Sequence, residues 1–272
     1  MNLDIEIEIK LKDGSVKVVE PGKNIYEVAK EISGRLAKEA TSARLDGHVV
    51  DLRTELHKSC EMEILTFEDE AGKDTFRHTS AHILAMAVKR LYPNAKLGIG
   101  PAIDKGFYYD FDVETPFKPE DLIAIEREMQ KIVSEKWEIT RYTLSREDAI
   151  AFCTSQGEPY KVELIHDLPE EAVISFYSMG GFTDLCAGPH LMTTEPVKGI
   201  KLLNVTGAYW RGDESRKMLQ RIYGVTFPKK SQLDTYIEQL EEAKKRDHNK
   251  VGRELELFTS VDVRSEEHTS EL

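Results

Sequence analysis

Two short segments carry the residue types that could do chemistry. His78 and His82 lie four residues apart in a segment with helical periodicity, so their imidazoles are expected on one face of a helix. Asp184, Cys186 and His190 lie within seven residues of a loop rich in Gly and Pro, a composition more typical of a site lining than of a core. The His and Cys side chains have the ligand types of a tetrahedral zinc site. They equally suit metal-free hydrolysis, in which imidazoles position a water and pass its proton.

Each part of this set also has a structural explanation. His78 and His82 could be a packed or solvated pair, and Cys186 could be an inert buried thiol. The two histidines are nevertheless predicted to point away from the apolar stripe of their own helix, and so to lie outside its core. That stripe consists of Ile83, Leu84, Ala87, Val88 and Leu91.

The elements before these residues predict a small β-grasp-like module. Residues 4–12 alternate apolar and polar side chains, as in a strand with one buried face, and Asp13-Gly14 turns the chain into a second strand at 16–19. Asn24 caps a predicted helix over 25–32. Further strands are predicted at 42–45, 49–50 and 62–67. Because this region contains no cluster of nucleophile, acid and base, we expect it to bind or dock rather than to catalyse.

The polar stretch 68–74 is a predicted linker, after which a second domain begins. Helices are predicted at 76–91, 120–136 and 145–153, and residues 173–224 are predicted to be mainly strand and loop. A charged helix over 231–257 is expected to connect to a further part of a longer protein.

The composition excludes several classes of protein. The chain has 272 residues and a net charge of −12, and its apolar runs are far shorter than the roughly 20 residues of a spanning helix. The N-terminus lacks the basic and apolar regions of a signal peptide. Three cysteines, Cys60, Cys153 and Cys186, are too few for a disulfide framework. We therefore expect a cytoplasmic protein with no membrane contact.

One segment is basic although the chain as a whole is acidic. Between residues 197 and 230, eight Lys and Arg stand against two acids, a local balance of +6. Tyr209, Trp210 and Arg211 lie in this segment, and the two rings could stack on bases. The segment is a candidate nucleic-acid interface, with a strand whose charges face water as the alternative.

The last nine residues need a separate explanation. Residues 264–272 read RSEEHTSEL, which is one reading frame of a common short-read sequencing adapter. We expect this stretch to be translated adapter rather than natural protein, and we exclude it from the fold prediction. This expectation implies a longer parent protein whose natural sequence is interrupted near residue 263.

Several long motifs follow one another along the chain. They are LKDGS at 11–15, RHTSAH at 77–82, IGPAIDKGFYYDFD at 99–112, GEPYKVELI at 157–165, FTDLCAGPH at 182–190, and TGAYWRGD with KMLQRIYG between 206 and 224. Together they resemble the threonyl-tRNA synthetase family over nearly everything from residue 1 to about residue 263. Alanyl-tRNA editing proteins share the scattered HxxxH and CxxxH pattern, but DLCxGPH and the β-grasp-like module fit the threonyl family better.

The resemblance implies an α+β protein with two domains and a connecting helix. It implies a TGS (β-grasp) domain over residues 1–67, an editing domain over 68–228, and a linker helix over 229–263 toward a class II catalytic domain. In the family, ATP, Mg and the catalytic zinc belong to that further domain, as does most of the dimer interface. We therefore expect a monomeric chain that does not ligate threonine to tRNA, derived from a homodimeric ligase that does.

The resemblance also implies an activity, hydrolysis of Ser-tRNA(Thr). Editing is needed because one methyl group provides only about 1–3 kcal/mol of discrimination between threonine and serine. The implied pocket is lined by His78, His82, Lys161, Asp184, Cys186 and His190, with Tyr109 beside them.

The roles expected from this resemblance differ among the pocket residues. His78 and His190 would position water and move its proton, Lys161 would contact the ester or the terminal ribose, and Asp184 would bind the serine amino group. Tyr109 lies in an aromatic run typical of a core strand and is expected to pack more than to react. Tyr209, Trp210 and Arg211 would receive the acceptor end of tRNA(Thr).

Three functions remain open from the sequence. The first is an aminoacyl-ester hydrolase within a larger synthetase, and the second is a non-catalytic RNA-binding module with a structural zinc site at His78, His82, Cys186 and His190. The third, a natural free-standing editor, is disfavoured by the adapter-like tail. We favour the first, with no cofactor required, because the resemblance is to bacterial-type enzymes whose editing pocket works without a metal.

Overall fold

The computed structural model describes residues 6–246. The first module, residues 6–66, is a five-stranded sheet with two helices. Its elements are β1 (Ile7–Leu11), β2 (Val16–Val19), α1 (Ile25–Ile32), α2 (Gly34–Glu39), β3 (Ala40–Leu45), β4 (His48–Val50) and β5 (Cys60–Thr66). The strand order is β2-β1-β5-β3-β4, with β1 and β5 parallel and the other pairs antiparallel. The predicted β-grasp-like arrangement is confirmed, while the short helix α2 was not predicted.

Local sequence explains the start of this module. Ile7 and Ile9 alternate with exposed residues on β1, which places both in the core. The side chain of Asn24 accepts from the backbone N–H of Glu27 at 2.9 Å, and the Glu27 carboxylate accepts from the N–H of Asn24 at 2.9 Å. This reciprocal capping box fixes the first turn of α1 where the sequence predicts it.

The second module, residues 70–227, contains two sheets and four helices. Its elements are α3 (Glu70–Leu91), β6 (Lys96–Leu97), β7 (Ala102–Ile103), β8 (Gly106–Asp112), α4 (Pro119–Ser134), β9 (Thr140–Leu144), α5 (Arg146–Ser155), α6 (Pro159–Asp167), β10 (Ile174–Met179), β11 (Phe182–Leu185), β12 (Gly199–Tyr209), a 3₁₀ turn (Trp210–Gly212) and β13 (Met218–Phe227). One sheet has the order β12-β13-β8-β6, with β7 also on β8, and the other has the order β11-β10-β9. The α+β class is confirmed.

The helix α3 differs from the prediction in two ways. It begins at Glu70, so the predicted linker at 68–74 is wrong for most of its length. The expectation that His82 lies away from the core is also wrong, since its side chain is only 5% exposed. Packing explains both differences. The helix α3 packs against the sheet of the first module, α4 and β8, and it is buried from Thr79 to Val88. A helix enclosed on several sides has no free polar face.

Two further helices complete the comparison with the prediction. The helix α6, which carries the GEPYK motif, was not predicted as a helix; Pro159 occupies its first turn, where a missing N–H costs nothing. The last described helix, α7 (Lys230–Lys245), agrees with the start of the predicted charged helix. Residues 247–272, which include the rest of that helix and the adapter-like tail, lie outside the described residues. Within residues 6–246, no helix has both the length and the apolar composition required to cross a membrane.

Candidate active site

The structure brings the two histidine and cysteine segments together. His78 and His82 lie one turn apart on α3, and Cys186 and His190 lie on the loop that follows β11. The Cys186 Sγ is 3.3 Å from Nε2 of His78 and 3.2 Å from Nε2 of His190. The three imidazole centroids are 4.3–5.1 Å apart. The structure therefore brings these four side chains together, while their role as a functional site stays a prediction.

Backbone contacts hold the loop after β11 in place. The N–H of Cys186 donates to the carbonyl of Ser175 on the neighbouring strand β10 at 3.0 Å, and the N–H of Gly188 donates to Sγ of Cys186 at 3.2 Å. Gly188 has φ +77°, and a Cβ there would lie 2.1 Å from the hydroxyl of Tyr177. Only glycine fits this turn, which directs His190 back toward α3.

A second group of buried polar side chains adjoins the histidines. Lys161 Nζ, on α6, lies 2.7 Å from Oδ1 of Asp184 on β11. The hydroxyl of Tyr109, on β8, donates to Oδ2 of Asp184 at 2.6 Å and accepts from Lys161 Nζ at 3.0 Å. His82 Nδ1 lies 3.7 Å from the same Oδ2. Tyr109 is fully buried and stacks on Phe111, which confirms that its ring packs in the core.

Burial determines the charge of the imidazoles. It lowers the pKa of His78 to about 4 and the pKa of His82 to about 3. Burial and the two neighbouring imidazoles hold the pKa of His190 well below its usual value. All three rings are therefore neutral at physiological pH, and each has one nitrogen that can accept a proton.

The other side chains keep the protonation states that suit a neutral site. Burial raises the pKa of the Cys186 thiol to about 12, so the sulfur is not a thiolate nucleophile at neutral pH. Burial opposes ionisation of Asp184, but the ammonium of Lys161 and the hydrogen bond from Tyr109 outweigh it and hold the pKa of that carboxyl below its usual value. The site thus combines neutral imidazoles with one buried ion pair.

Two groups of contacts were not predicted from the sequence. Thr79 Oγ1 lies 3.0 Å from Nδ1 of His190 and accepts from the N–H of Leu191 at 3.0 Å. Asp51 and Arg53, from the first module, contact the backbone around His190. The HTSAH motif contains Thr79, but nothing in its spacing shows which loop it meets. Asp51 lies 139 residues from His190 and carries no local signal at all.

Two stretches of the chain match known domain families. Residues 7–66 match the family described as "TGS domain", and residues 174–223 match the family described as "Threonyl and Alanyl tRNA synthetase second additional domain". The second match includes Asp184, Cys186 and His190. These families are the two that the motifs imply for the two modules.

Comparison along most of the chain gives the same relationship. The threonine–tRNA ligase of Acetivibrio thermocellus is 60% identical over 252 residues, which are 93% of this chain and 40% of that protein. The threonine–tRNA ligase of Clostridium tetani is 60% identical over 253 residues, again 93% of this chain and 40% of that protein. The chain is homologous to the N-terminal part of threonine–tRNA ligases. It spans about 40% of the length of these relatives.

The three side chains predicted to receive the substrate in this threonine–tRNA ligase homologue have different surroundings in the structure. Trp210 is 1% exposed, packs on Tyr160 with ring centroids 4.8 Å apart, and donates from its indole N–H to Glu163 at 3.2 Å. The prediction that its ring is available for base stacking is therefore wrong. Tyr209 is 36% exposed, so stacking by this ring stays a prediction. Arg211 forms ion pairs with Glu163 and Asp167, which occupy its guanidinium.

The basic segment 197–230 is not a continuous basic surface. Besides Arg211, four of its basic side chains pair with acids from other elements: Lys201 with Glu126, Arg216 with Glu163, Lys217 with Asp112, and Arg221 with Asp110. The excess of +6 counted along the sequence omits these partners. These five side chains are paired with acids, which fits neither a free basic surface nor the alternative of a strand whose charges simply face water.

The donor set of the site fits a zinc ion. His78, His82, Cys186 and His190 each offer one ligand atom, and these atoms lie within 4.8 Å of one another. Tetrahedral zinc has metal–ligand distances of about 2.0–2.3 Å, which places its ligand atoms roughly 3.3–3.8 Å apart. The thiol-to-imidazole distances of 3.2 and 3.3 Å are close to this range. Zinc binding at these four residues stays a prediction.

Proposed function

We propose that this chain hydrolyses the ester bond of Ser-tRNA(Thr), as the editing part of a threonine–tRNA ligase. The observation that carries the proposal is a cluster of three neutral imidazoles, two of which contact the Cys186 thiol, next to the buried Lys161–Asp184 pair. Neutral imidazoles can take a proton from water, and a buried ion pair can bind a polar substrate. The homology to the N-terminal part of threonine–tRNA ligases supports the substrate.

The proposed hydrolysis is a direct attack by water. Nε2 of His78 or His190 holds the water and takes its proton as the oxygen bonds to the ester carbonyl carbon. The tetrahedral intermediate then collapses, the bond to the ribose oxygen breaks, and the imidazolium returns the proton to that oxygen. The products are serine and tRNA with a free terminal hydroxyl. Asp184 stabilises the transient positive charge, since its carboxylate raises the pKa of both His78 and His82.

The protonation states support water rather than a thiolate as the nucleophile. A pKa of about 4 makes His78 a weaker base than free imidazole, so its main contribution is to orient the water in its neutral form. A thiol with a pKa of about 12 supplies almost no thiolate at neutral pH. We therefore propose that Cys186 lines the pocket and does not form a thioester.

The ion pair would contact the two ends of the substrate. Lys161 would donate to the ester or the terminal ribose, and Asp184 would attract the ammonium of serine. Oδ2 of Asp184 accepts a hydrogen bond from Tyr109, whereas Oδ1 lies 2.7 Å from Lys161 Nζ without the geometry of a hydrogen bond, so it keeps accepting capacity for a substrate ammonium. Selectivity for serine would require a pocket with no room for the methyl group of threonine.

We propose that hydrolysis requires no metal, because the chain's own imidazoles are already neutral and adjacent. If zinc is bound by His78, His82, Cys186 and His190, it would supply a water of lowered pKa. A non-catalytic module with a structural zinc site is the second candidate, and the ligand-atom spacing favours it. A chelator distinguishes these cases, since only a zinc-dependent protein loses activity or stability when the metal is removed.

Partners and location are also proposals. We propose that the acceptor end of tRNA(Thr) approaches the site past Tyr209, the exposed member of the predicted aromatic pair. Three free cysteines support a reducing, cytoplasmic location. We propose that this chain by itself is a monomer. We propose that the longer ligase is a homodimer whose catalytic domain uses ATP, Mg and zinc.

The deciding experiment is deacylation of Ser-tRNA(Thr) beside Thr-tRNA(Thr), with and without chelator. Wild type should release serine selectively in both conditions, and His78→Ala and His190→Ala should lower the rate about 100-fold or more. His57→Ala is the matched control, because His57 is an exposed histidine of the first module paired with Glu55. If a folded sample that binds tRNA hydrolyses neither ester, the proposal is wrong. Stoichiometric zinc without turnover would instead support the second candidate.

A further inference from the structure

A loop of the first module reaches into the second module beside the candidate active site. It follows β4 and contains Asp51 and Arg53, whose side chains are 9% and 16% exposed although both are charged. The two side chains form an ion pair at 2.8 Å, and Asp51 also accepts from the N–H of Arg53 at 2.8 Å. Buried charges of this kind require partners, and most of theirs belong to the second module.

Arg53 binds three backbone carbonyls across the boundary. Its Nε donates to the carbonyl of Ile139 at 2.9 Å, its Nη1 to the carbonyl of His190 at 3.2 Å, and its Nη2 to the carbonyl of Leu191 at 2.8 Å. Only the planar guanidinium has enough fixed donors to satisfy three carbonyls and a carboxylate together. Met192, the next residue, packs against the hydrophobic core of the first module.

Asp51 completes the enclosure of the same segment. Its Oδ2 accepts from the N–H of His190 at 3.2 Å and from the hydroxyl of Tyr177 at 3.0 Å. The ring of Tyr177 lies edge-to-face with the imidazole of His190, with centroids 4.5 Å apart. Both backbone polar groups of His190 are therefore bound by side chains of the first module. The imidazole is held separately, by Thr79 and Cys186 of the second module.

We propose that Asp51 and Arg53 are positioning residues for the reaction at the candidate active site, so that the first module sets the backbone position of His190. The expected effect on kcat rests on the proposed function. The effect of the first module on the position of His190 does not depend on that function. A shift of about 1 Å in a reacting group can cost about 100-fold in rate. The first module would thus act on hydrolysis without touching the substrate.

The test is made in the full chain with two variants. Arg53→Ala removes the whole side chain beyond Cβ, and the milder Arg53→Lys keeps the charge but loses the planar guanidinium with its several N–H donors. Arg44→Ala and Arg44→Lys are the matched controls, because Arg44 pairs with Glu63 inside the first module's own sheet. Two readouts are compared at equal extents of folding, namely kcat and KM for Ser-tRNA(Thr), and the imidazole ¹⁵N signals of His190 in histidine-labelled protein.

We expect Arg53→Ala to lower kcat about tenfold to 100-fold with KM within about threefold of wild type. We also expect it to shift the His190 signals, with a smaller effect of Arg53→Lys and none of either Arg44 variant. Unchanged kcat together with unchanged His190 signals would overturn the proposal. If wild type itself hydrolyses nothing, the proposed function fails, and the His190 signals alone then decide the positioning. A shift specific to the Arg53 variants supports it, and the absence of one overturns it.

Discussion

Thr79 Oγ1 lies 3.0 Å from Nδ1 of His190, and this contact couples the orientation of the hydroxyl to the tautomer of the imidazole. The Thr79 hydroxyl donates its single proton to the carbonyl of Thr75 at 3.1 Å and accepts from the N–H of Leu191 at 3.0 Å. With the hydroxyl in this orientation, Nδ1 carries the hydrogen and donates to Oγ1, whereas a hydroxyl that donates to Nδ1 would leave the hydrogen on Nε2. In the first of these tautomers Nε2, which lies 3.2 Å from Sγ of Cys186, carries no hydrogen and can accept a proton.

Replacing Thr79 should therefore disturb both catalysis and folding. Thr79→Val keeps the shape but removes the acceptor, so we expect deacylation of Ser-tRNA(Thr) to fall about tenfold or more. The Leu191 N–H would lose its partner, at a cost of about 1–3 kcal/mol in the free energy of unfolding. Thr79→Ser keeps the hydroxyl and should retain most of the activity. Equal rates for the valine and serine variants would show that the tautomer contact is unimportant.

The pair Lys161–Asp184 should be strongly coupled in stability. Lys161→Met leaves the buried Asp184 carboxylate without its cation, and we expect a loss of about 3–5 kcal/mol in the free energy of unfolding. Adding Asp184→Asn removes the uncompensated charge and should recover a large part of that loss. Urea unfolding of the two single variants and the double variant measures the coupling.

An exposed ion pair provides the control for this cycle. Arg35 and Glu39 lie four residues apart on α2 and are mostly exposed, so their coupling should stay within about 0.5 kcal/mol. If Lys161→Met costs no more than Arg35→Met, the buried pair does not stabilise the fold in the way proposed.

Stability should fall as the pH falls below about 6.5, before the carboxylates titrate. An unfolded chain protonates its histidines near pH 6.5, whereas burial lowers the pKa of His78 to about 4 and of His82 to about 3. Between these values the unfolded state binds more protons, so the free energy of unfolding increases with pH and is fully recovered above the unfolded pKa. Urea unfolding from about pH 8 to about pH 5, in chelator to exclude metal ligation, measures the slope.

One substitution isolates the source of this pH dependence. His82→Asn removes a buried titrating group and should make the slope shallower, whereas His57→Gln changes an exposed histidine and should leave it unchanged. A slope that is the same in all three proteins would mean that the buried imidazoles are not responsible.

Gly72 should tolerate no side chain. A Cβ on Gly72 would lie 1.8 Å from the carbonyl oxygen of Thr66 and 2.8 Å from Oγ1 of Thr41, because α3 packs closely on the first module's sheet. We expect Gly72→Ala to lower the free energy of unfolding by about 1–3 kcal/mol despite the better helix propensity of alanine. Gly34→Ala, in the first turn of α2 with open space around it, is the control and should be neutral or stabilising. A stable Gly72→Ala would contradict this close packing.

Local spacing predicted a large part of the candidate site. His78 and His82 are one helical turn apart, so the backbone hydrogen bonds of the helix are enough to hold their side chains close together. Asp184, Cys186 and His190 are close in sequence, so any loop keeps them close in space. The motifs around them were also sufficient to predict the two domain families that residues 7–66 and 174–223 match.

The sequence by itself determined many of the helices and strands, the residue types they carry and the family that the chain resembles, because these depend on short-range periodicity and on strings of residues. Only the tertiary structure decided that Cys186 meets His78 across 108 residues, that Asp51 and Arg53 enclose His190, and that Trp210 is buried. It also decided that the three imidazoles are neutral, since the pKa depends on desolvation by packing. Contacts between distant segments form because packing of the whole core removes apolar surface from water. No local sequence pattern encodes that packing.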